Sequence, residues 1–254
     1  MLTLEGREIV FNMKKIKYLF LICLVLFACS KKHETKSVGI DPVFYQLNMS
    51  QMSPYLYGYV FELLQIFSEE EGVLLQKIDV NWDHLLDGLK QKNFTSAISI
   101  LTPTKENQAH YQFSDPILEL GPVLIVKQKS FVKNIHMLKG RIVGVESTNE
   151  GIILVQTIPD VIIQTYDRMI QAFEDVYNET IDGAVYNILQ AKKINQNLFS
   201  NTLQIASDPL TNLAIRLVML KNTDPEFLEK FNRFLRKMDD SKKLQALKEK
   251  WELD

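Results

Sequence analysis

The sequence predicts an α/β fold, and three observations carry that expectation. Short apolar or β-branched runs alternate with segments of helical periodicity from residue 37 onward. The composition, 46% hydrophobic and 24% charged, is that of an ordinary globular chain of 254 residues with ample length to bury a core. No internal repeat or low-complexity segment interrupts the alternation. Alternation of this kind favours largely parallel sheets.

The elements follow in order. Residues 37–40 form a short β candidate. Residues 58–70 place Tyr59, Leu63, Ile66 and Phe67 on one helical face after a glycine start. Residues 74–80 read as strand, and 82–90 repeat the helical period through Leu85, Leu86 and Leu89. Residues 97–101, 123–127 and 141–145 are short apolar strands. Residues 151–158 are helical until Pro159, which cannot continue a helix. Residues 161–166 are β-branched and strand-like, 168–177 helical, 183–186 a buried strand and 213–220 a strand. Two helices close the chain, over 225–238 and 241–251. Thr223-Asp224-Pro225 supplies the first with a cap and a proline at its opening position.

The N-terminal region reads as an address. Lys14, Lys15 and Lys17 precede an unbroken apolar run over residues 18–28, too short for the about 20 residues that span a bilayer. Leu26-Phe27-Ala28-Cys29 follows and resembles the bacterial lipobox, in which cleavage falls before a cysteine that is then lipidated. Residues 1–29 are thus expected to form a lipoprotein signal peptide ending at the lipidated Cys29, and residues 30–36 a polar tether. Residues 1–12 carry Glu5 and Glu8, unlike a signal n-region, so Met13 is the expected translation start.

Composition excludes several functions. The formal charge of −2 offers no basic excess for nucleic acid. The only cysteines, Cys23 and Cys29, lie in the apolar leader, so the folded body has neither a disulfide framework nor a thiolate metal site. The histidines, His33, His84, His110 and His136, lack any i, i+4 pairing. No metal and no cofactor is expected. There is no Gly-x-Ser-x-Gly elbow and no phosphate-binding glycine loop.

From residue 38 a series of motifs becomes visible: Val38-Gly39-Ile40-Asp41-Pro42-Val43-Phe44, Gly58-Tyr59-Val60-Phe61-Glu62-Leu63, Trp82-Asp83-His84-Leu85-Leu86 and Leu101-Thr102-Pro103-Thr104-Lys105-Glu106. Phe113-Ser114-Asp115-Pro116, Leu138-Lys139-Gly140-Arg141-Ile142-Val143-Gly144-Val145, Ile181-Asp182-Gly183-Ala184-Val185 and Lys250-Trp251 continue it. Together they resemble family 3 of the bacterial solute-binding proteins, the polar amino-acid receptors of ABC importers. The resemblance implies a two-lobed type II periplasmic-binding-protein fold, with two mixed sheets flanked by helices and a ligand cleft between the lobes. Lobe one would take residues 37–119 and 213–254, and lobe two residues 120–212. Twice-crossing chains of this kind close about a hinge.

The resemblance also implies a pocket. Phe44 stands where the family packs an aromatic ring on its ligand; its other role is in the core. Thr102 and Thr104 stand where hydroxyls and amides hold the ligand's polar head, or cap the helix beginning near Lys105. Asn107 replaces the family's carboxylate-gripping arginine, and Asn187 the aspartate that holds the α-ammonium. Thr148, Asn149 and Glu150 occupy a helix start suited to an anion. Glu150 either fills that site with its own carboxylate or joins Asp41 in favouring a cationic ligand. Asp41 alternatively organises its own loop. The implied partners are a small polar ligand (an amino acid, a cationic one, or a short peptide), an ABC permease with its ATPase, and a membrane reached through the lipid anchor. No nucleic acid is implied, the protein would be a monomer, and its location would be periplasmic. Two other readings compete: a sensory ligand-binding lobe, and a dehydratase-like enzyme on the same fold with Glu150 as general acid.

Overall fold

The computed structural model describes residues 34–47, 52–147 and 151–254. The signal-peptide and lipidation expectations, which include Cys29, therefore lie outside the described residues, as do residues 30–33 of the expected tether and Thr148, Asn149 and Glu150. Residues 34–36, expected to close the tether, instead open β1, which starts at Glu34.

The elements in chain order are β1 (Glu34–Ile40), α1 (Ser53–Glu71), β2 (Val73–Asp79), α2 (Trp82–Lys90), β3 (Ser96–Ser99), α3 (Asn107–His110), β4 (Tyr111–Phe113) and β5 (Leu118–Glu119). There follow β6 (Pro122–Lys127), β7 (Ile142–Glu146), α4 (Gly151–Gln156), β8 (Ile162–Tyr166), α5 (Met169–Tyr177), β9 (Gly183–Asn187), α6 (Ile188–Phe199) and β10 (Leu203–Ile205). The chain closes with β11 (Ala214–Leu220), α7 (Pro225–Asp240) and α8 (Lys243–Lys250). Residues 36–254 form one compact unit.

Two sheets organise that unit. The first runs β2-β1-β3-β11-β4, with β5 also pairing β11; the second runs β10-β6-β9-β7-β8. Parallel pairing is confirmed by register for β1 with β3, β7 with β8 and β7 with β9. The strands that carry the chain between sheets pair antiparallel: β11 with β3, β4 and β5, and β6 with β9 and β10. The largely parallel sheets expected from the alternation are thus mixed. A strand that enters from the other sheet has no helical crossover to bring it round parallel.

Helix α1 starts at Ser53, ahead of residue 58, because Pro54 fits a first turn whose N–H groups have no helical partner. It ends at Gly72, whose φ of 65° is the left-handed C-cap conformation. Its apolar stripe, Leu56, Tyr59, Val60, Leu63 and Phe67, meets α7 in the first core. There Phe227, Phe231 and Phe234 approach the Phe67 ring edge-on, at centroid distances of 5.9, 5.0 and 5.2 Å. Helix α7 starts as its sequence predicts: Asp224 accepts the Phe227 N–H at 3.0 Å. On the opposite face of the first sheet, α2 packs Leu85 and Leu89 with Phe94, Ala97 and Val218. The second sheet buries α5 on one face, through Met169, Ala172 and Phe173, and Val155 of α4 on the other.

The chain crosses between sheets twice, and the crossings bond to each other. Leu120 N–H donates to Leu213 O at 3.0 Å, and Leu210 N–H to Pro122 O at 2.8 Å. A Cβ on Gly121 would stand 2.8 Å from Thr211 Oγ1 and 3.0 Å from Thr211 O, so the close approach requires glycine.

Candidate functional site

Register fixes which ends of the sheets face each other. Strand β5 leaves the first sheet at Glu119, which pairs with Ala214, the first residue of β11. Two residues further along β11, Arg216 pairs with Ser99, the last residue of β3. The crossings therefore leave the first sheet at the carboxyl ends of β3 and its parallel neighbour β1. In the second sheet, the first residue of β6, Pro122, pairs with Asn187, the last residue of β9, beside parallel β7. Each sheet thus turns the carboxyl ends of its parallel strands toward the crossings. That is where open α/β folds hold ligands.

The predicted residues distribute between these two rims. Asp41 follows β1 directly and is 5% exposed. Its carboxylate accepts the Val43 N–H at 3.1 Å and the Tyr45 N–H at 2.7 Å, so it organises its loop. Those bonds brace Phe44, which holds a left-handed φ of 46° and is buried in the first core. Beyond it Tyr45 is exposed, with its ring parallel to that of Trp82 at a centroid distance of 6.2 Å. Thr102, Thr104 and Asn107 lie on the segment after β3. Thr104 Oγ1 accepts the Asn107 N–H at 3.2 Å, a capping contact at the start of α3. The Asn107 amide donates to Thr102 O at 2.8 Å, which ties the segment into a closed turn.

Across the crossings, Asn187 ends β9 and precedes α6, and its side chain makes no capping bond to that helix. Beside it Tyr186 is half-buried; burial, and then the Glu146 charge, raise its pKa above the usual phenol range. Asn149 and Glu150 belong to the undescribed segment between β7 and α4, so the enzyme reading built on Glu150 has no described residue behind it.

Sequence reading passed over two features of these rims: the Tyr45–Trp82 pair, and Arg216 in β11. The signal for the second was a lone guanidinium within an apolar strand. A separate cavity of about 310 Å³ between β5 and helices α7 and α8 holds none of the predicted residues, and two of its charges, Asp115 and Arg236, pair at 3.0 Å. Among the described residues, no group of three or more His, Cys, Asp or Glu side chains is placed to hold a metal ion. No described helix is long and apolar enough to cross a membrane.

Two α/β lobes joined by paired crossings, with polar loops on the facing rims, define a two-lobed solute-binding protein. The chain belongs to the bacterial extracellular solute-binding proteins, family 3, whose sequence pattern matches residues 37–254. It is 26% identical over 203 residues to the arginine-binding extracellular protein ArtP of Bacillus subtilis, covering 76% of this chain and 77% of that one. It is also 26% identical over 224 residues to the L-cystine-binding protein TcyJ of Escherichia coli, covering 87% and 84%. Its fold resembles the L-cystine solute receptor of Neisseria gonorrhoeae in the unliganded open conformation. There the TM-score is 0.67 at 19% identity, over 87% of this chain and 93% of the other.

Proposed function

We propose that this protein is the amino-acid receptor of an ABC importer, exported and held to a bacterial membrane through a lipidated Cys29. It takes a small polar solute between residues 37–119 plus 213–254 on one side and 120–212 on the other. It then closes about the paired crossings and presents the closed form to a permease with its ATPase. The role is binding and delivery, without catalysis, and the protein works as a monomer. The observation that carries this reading is that the carboxyl ends of β1 and β3 in one sheet and of β7 and β9 in the other lie at the paired crossings. Asp41, Thr102, Thr104, Asn107 and Asn187, which end or follow those strands, are the proposed ligand contacts. Further support comes from the names of two relatives, which specify arginine and L-cystine. Each of these ligands offers an α-carboxylate and an α-ammonium to a cleft of hydrogen-bonding groups.

Thermal unfolding against amino acids, polyamines and short peptides tests the reading. A true ligand at 100 times its Kd adds about 2.7 kcal/mol of stability and raises Tm visibly. The expected responder is an amino acid. A response confined to polyamines or peptides moves the solute class, and silence from a folded sample across the panel contradicts the receptor role.

A further inference from the structure

The apolar run of β11 contains one charge. Arg216 stands between Ile215 and Leu217, both fully buried, and is itself only 8% exposed. Its neighbours at that end of the sheet are also buried and polar: Ser99, its register partner, and Ser114. A guanidinium taken out of water needs partners for its donors. Nη1 has one, Ser114 O at 3.0 Å, and among the described residues this is the guanidinium's only hydrogen bond. Nε is sealed from solvent and has no partner.

The nearby carboxylates do not supply one. Asp115 is held by Arg236 at 3.0 Å, and Glu119 pairs through its backbone with Ala214 while its side chain stays exposed. Their influence on Arg216 is through space: burial pushes its pKa down, and the Asp115 and Glu119 charges hold it up. The group remains a cation. Its Nε and Nη2 together form one edge of the guanidinium fork, the arrangement that receives a carboxylate through two parallel bonds.

Arg216 lies at the end of the first sheet from which the chain crosses to the second. The segment after β3 passes over the same face of the sheet, where Leu101, Tyr111 and Phe113 pack with Val218, two residues along β11 from Arg216. Asn107 on that segment spends its amide on Thr102 O.

Building on the solute-binding reading above, we infer that Arg216 is the anion-gripping residue of the interlobe cleft, and that the solute carries a carboxylate. Closure over that carboxylate satisfies the Nε donor that this form leaves unpaired. Polyamines, which lack a carboxylate, are excluded as solutes.

Calorimetric titration of the purified protein tests this with L-arginine and L-cystine, each against its decarboxylated counterpart, agmatine and cystamine. The expected result is that an amino acid binds and its amine counterpart does not. Arg216→Met weakens that binding by about 30-fold or more. Arg216→Lys keeps the charge but loses the fork and falls between the two. Should Arg216→Met fail to fold, Arg216→Lys and the amine comparison still decide. Arg216→Met binding within about threefold of the unaltered protein, or an amine binding as tightly as its amino acid, overturns the proposal alone. An unaltered protein that binds none of these probes contradicts the amino-acid reading and the proposal together.

Discussion

Asp41 shows how much one side chain does at the first rim. Its buried carboxylate takes two backbone N–H groups, from Val43 and Tyr45, and so sets the turn that buries Phe44 and exposes Tyr45. Hydrogen bonds to a charged group contribute about 1.5–3 kcal/mol each, and their loss leaves amides unpaired. Asp41→Ala is therefore expected to destabilise the protein by about 2 kcal/mol in urea unfolding. The motif around Asp41 was legible in the sequence, as was its alternative role as loop organiser. Which neighbour each side chain would find was not legible, because that depends on strands far apart in the chain. Arg216 is the sharpest case. Its charge is visible in the run of residues 213–220, but its meaning comes from Ser99 and Ser114, which only the sheet brings beside it.

At the scale of elements, two motifs from opposite ends of the chain clasp each other. Gly58 of α1 lies so close to Trp251 that a Cβ there would stand 2.1 Å from the indole ring. One helical turn on, Glu62 accepts from Lys250 at 2.7 Å and from Trp251 Nε1 at 2.9 Å. Gly58 reads from sequence as a helix start; in the fold it is a packing glycine inside a helix begun at Ser53. The Lys250 hydrogen bond, helped by Trp251 against the opposing effect of burial, lowers the Glu62 pKa below its ordinary 4.5. A depressed carboxylate stabilises the fold above its unfolded-state pKa and loses that contribution as pH falls through the folded value. Glu62→Gln should accordingly lower the thermal midpoint near about pH 6 and match the unaltered protein near about pH 3. An equal deficit at both pH values would assign the loss to packing. Element boundaries were legible where caps mark them, as at Asp224. Helix α6 was not assigned from the sequence: its apolar residues Ile188, Ala191, Ile194 and Phe199, which pack on the second core, are separated by polar residues, with no side-chain cap at its start.

At the scale of the whole molecule, the sequence carried the alternation that defines an α/β fold but not the return strands that make each sheet mixed. Those strands exist because the chain leaves the first sheet after β5 and returns to it as β11. The same double crossing turns the carboxyl ends of β1, β3, β7 and β9 toward one another. The crossings are narrow and bonded to each other at Leu120, Leu210 and Leu213. Few bonds need to change if the sheets rotate about them, and a hinge of this build permits closure. A ligand shifts the protein toward the closed form only by the extra contacts it makes there.

Small-angle X-ray scattering tests closure of the two lobes. The protein is measured alone and with a saturating amount of the amino acid that calorimetry identifies. Closure gives a smaller radius of gyration with ligand present. An unchanged scattering curve at proven saturation would contradict it, and would place binding on a surface that does not draw the two lobes together.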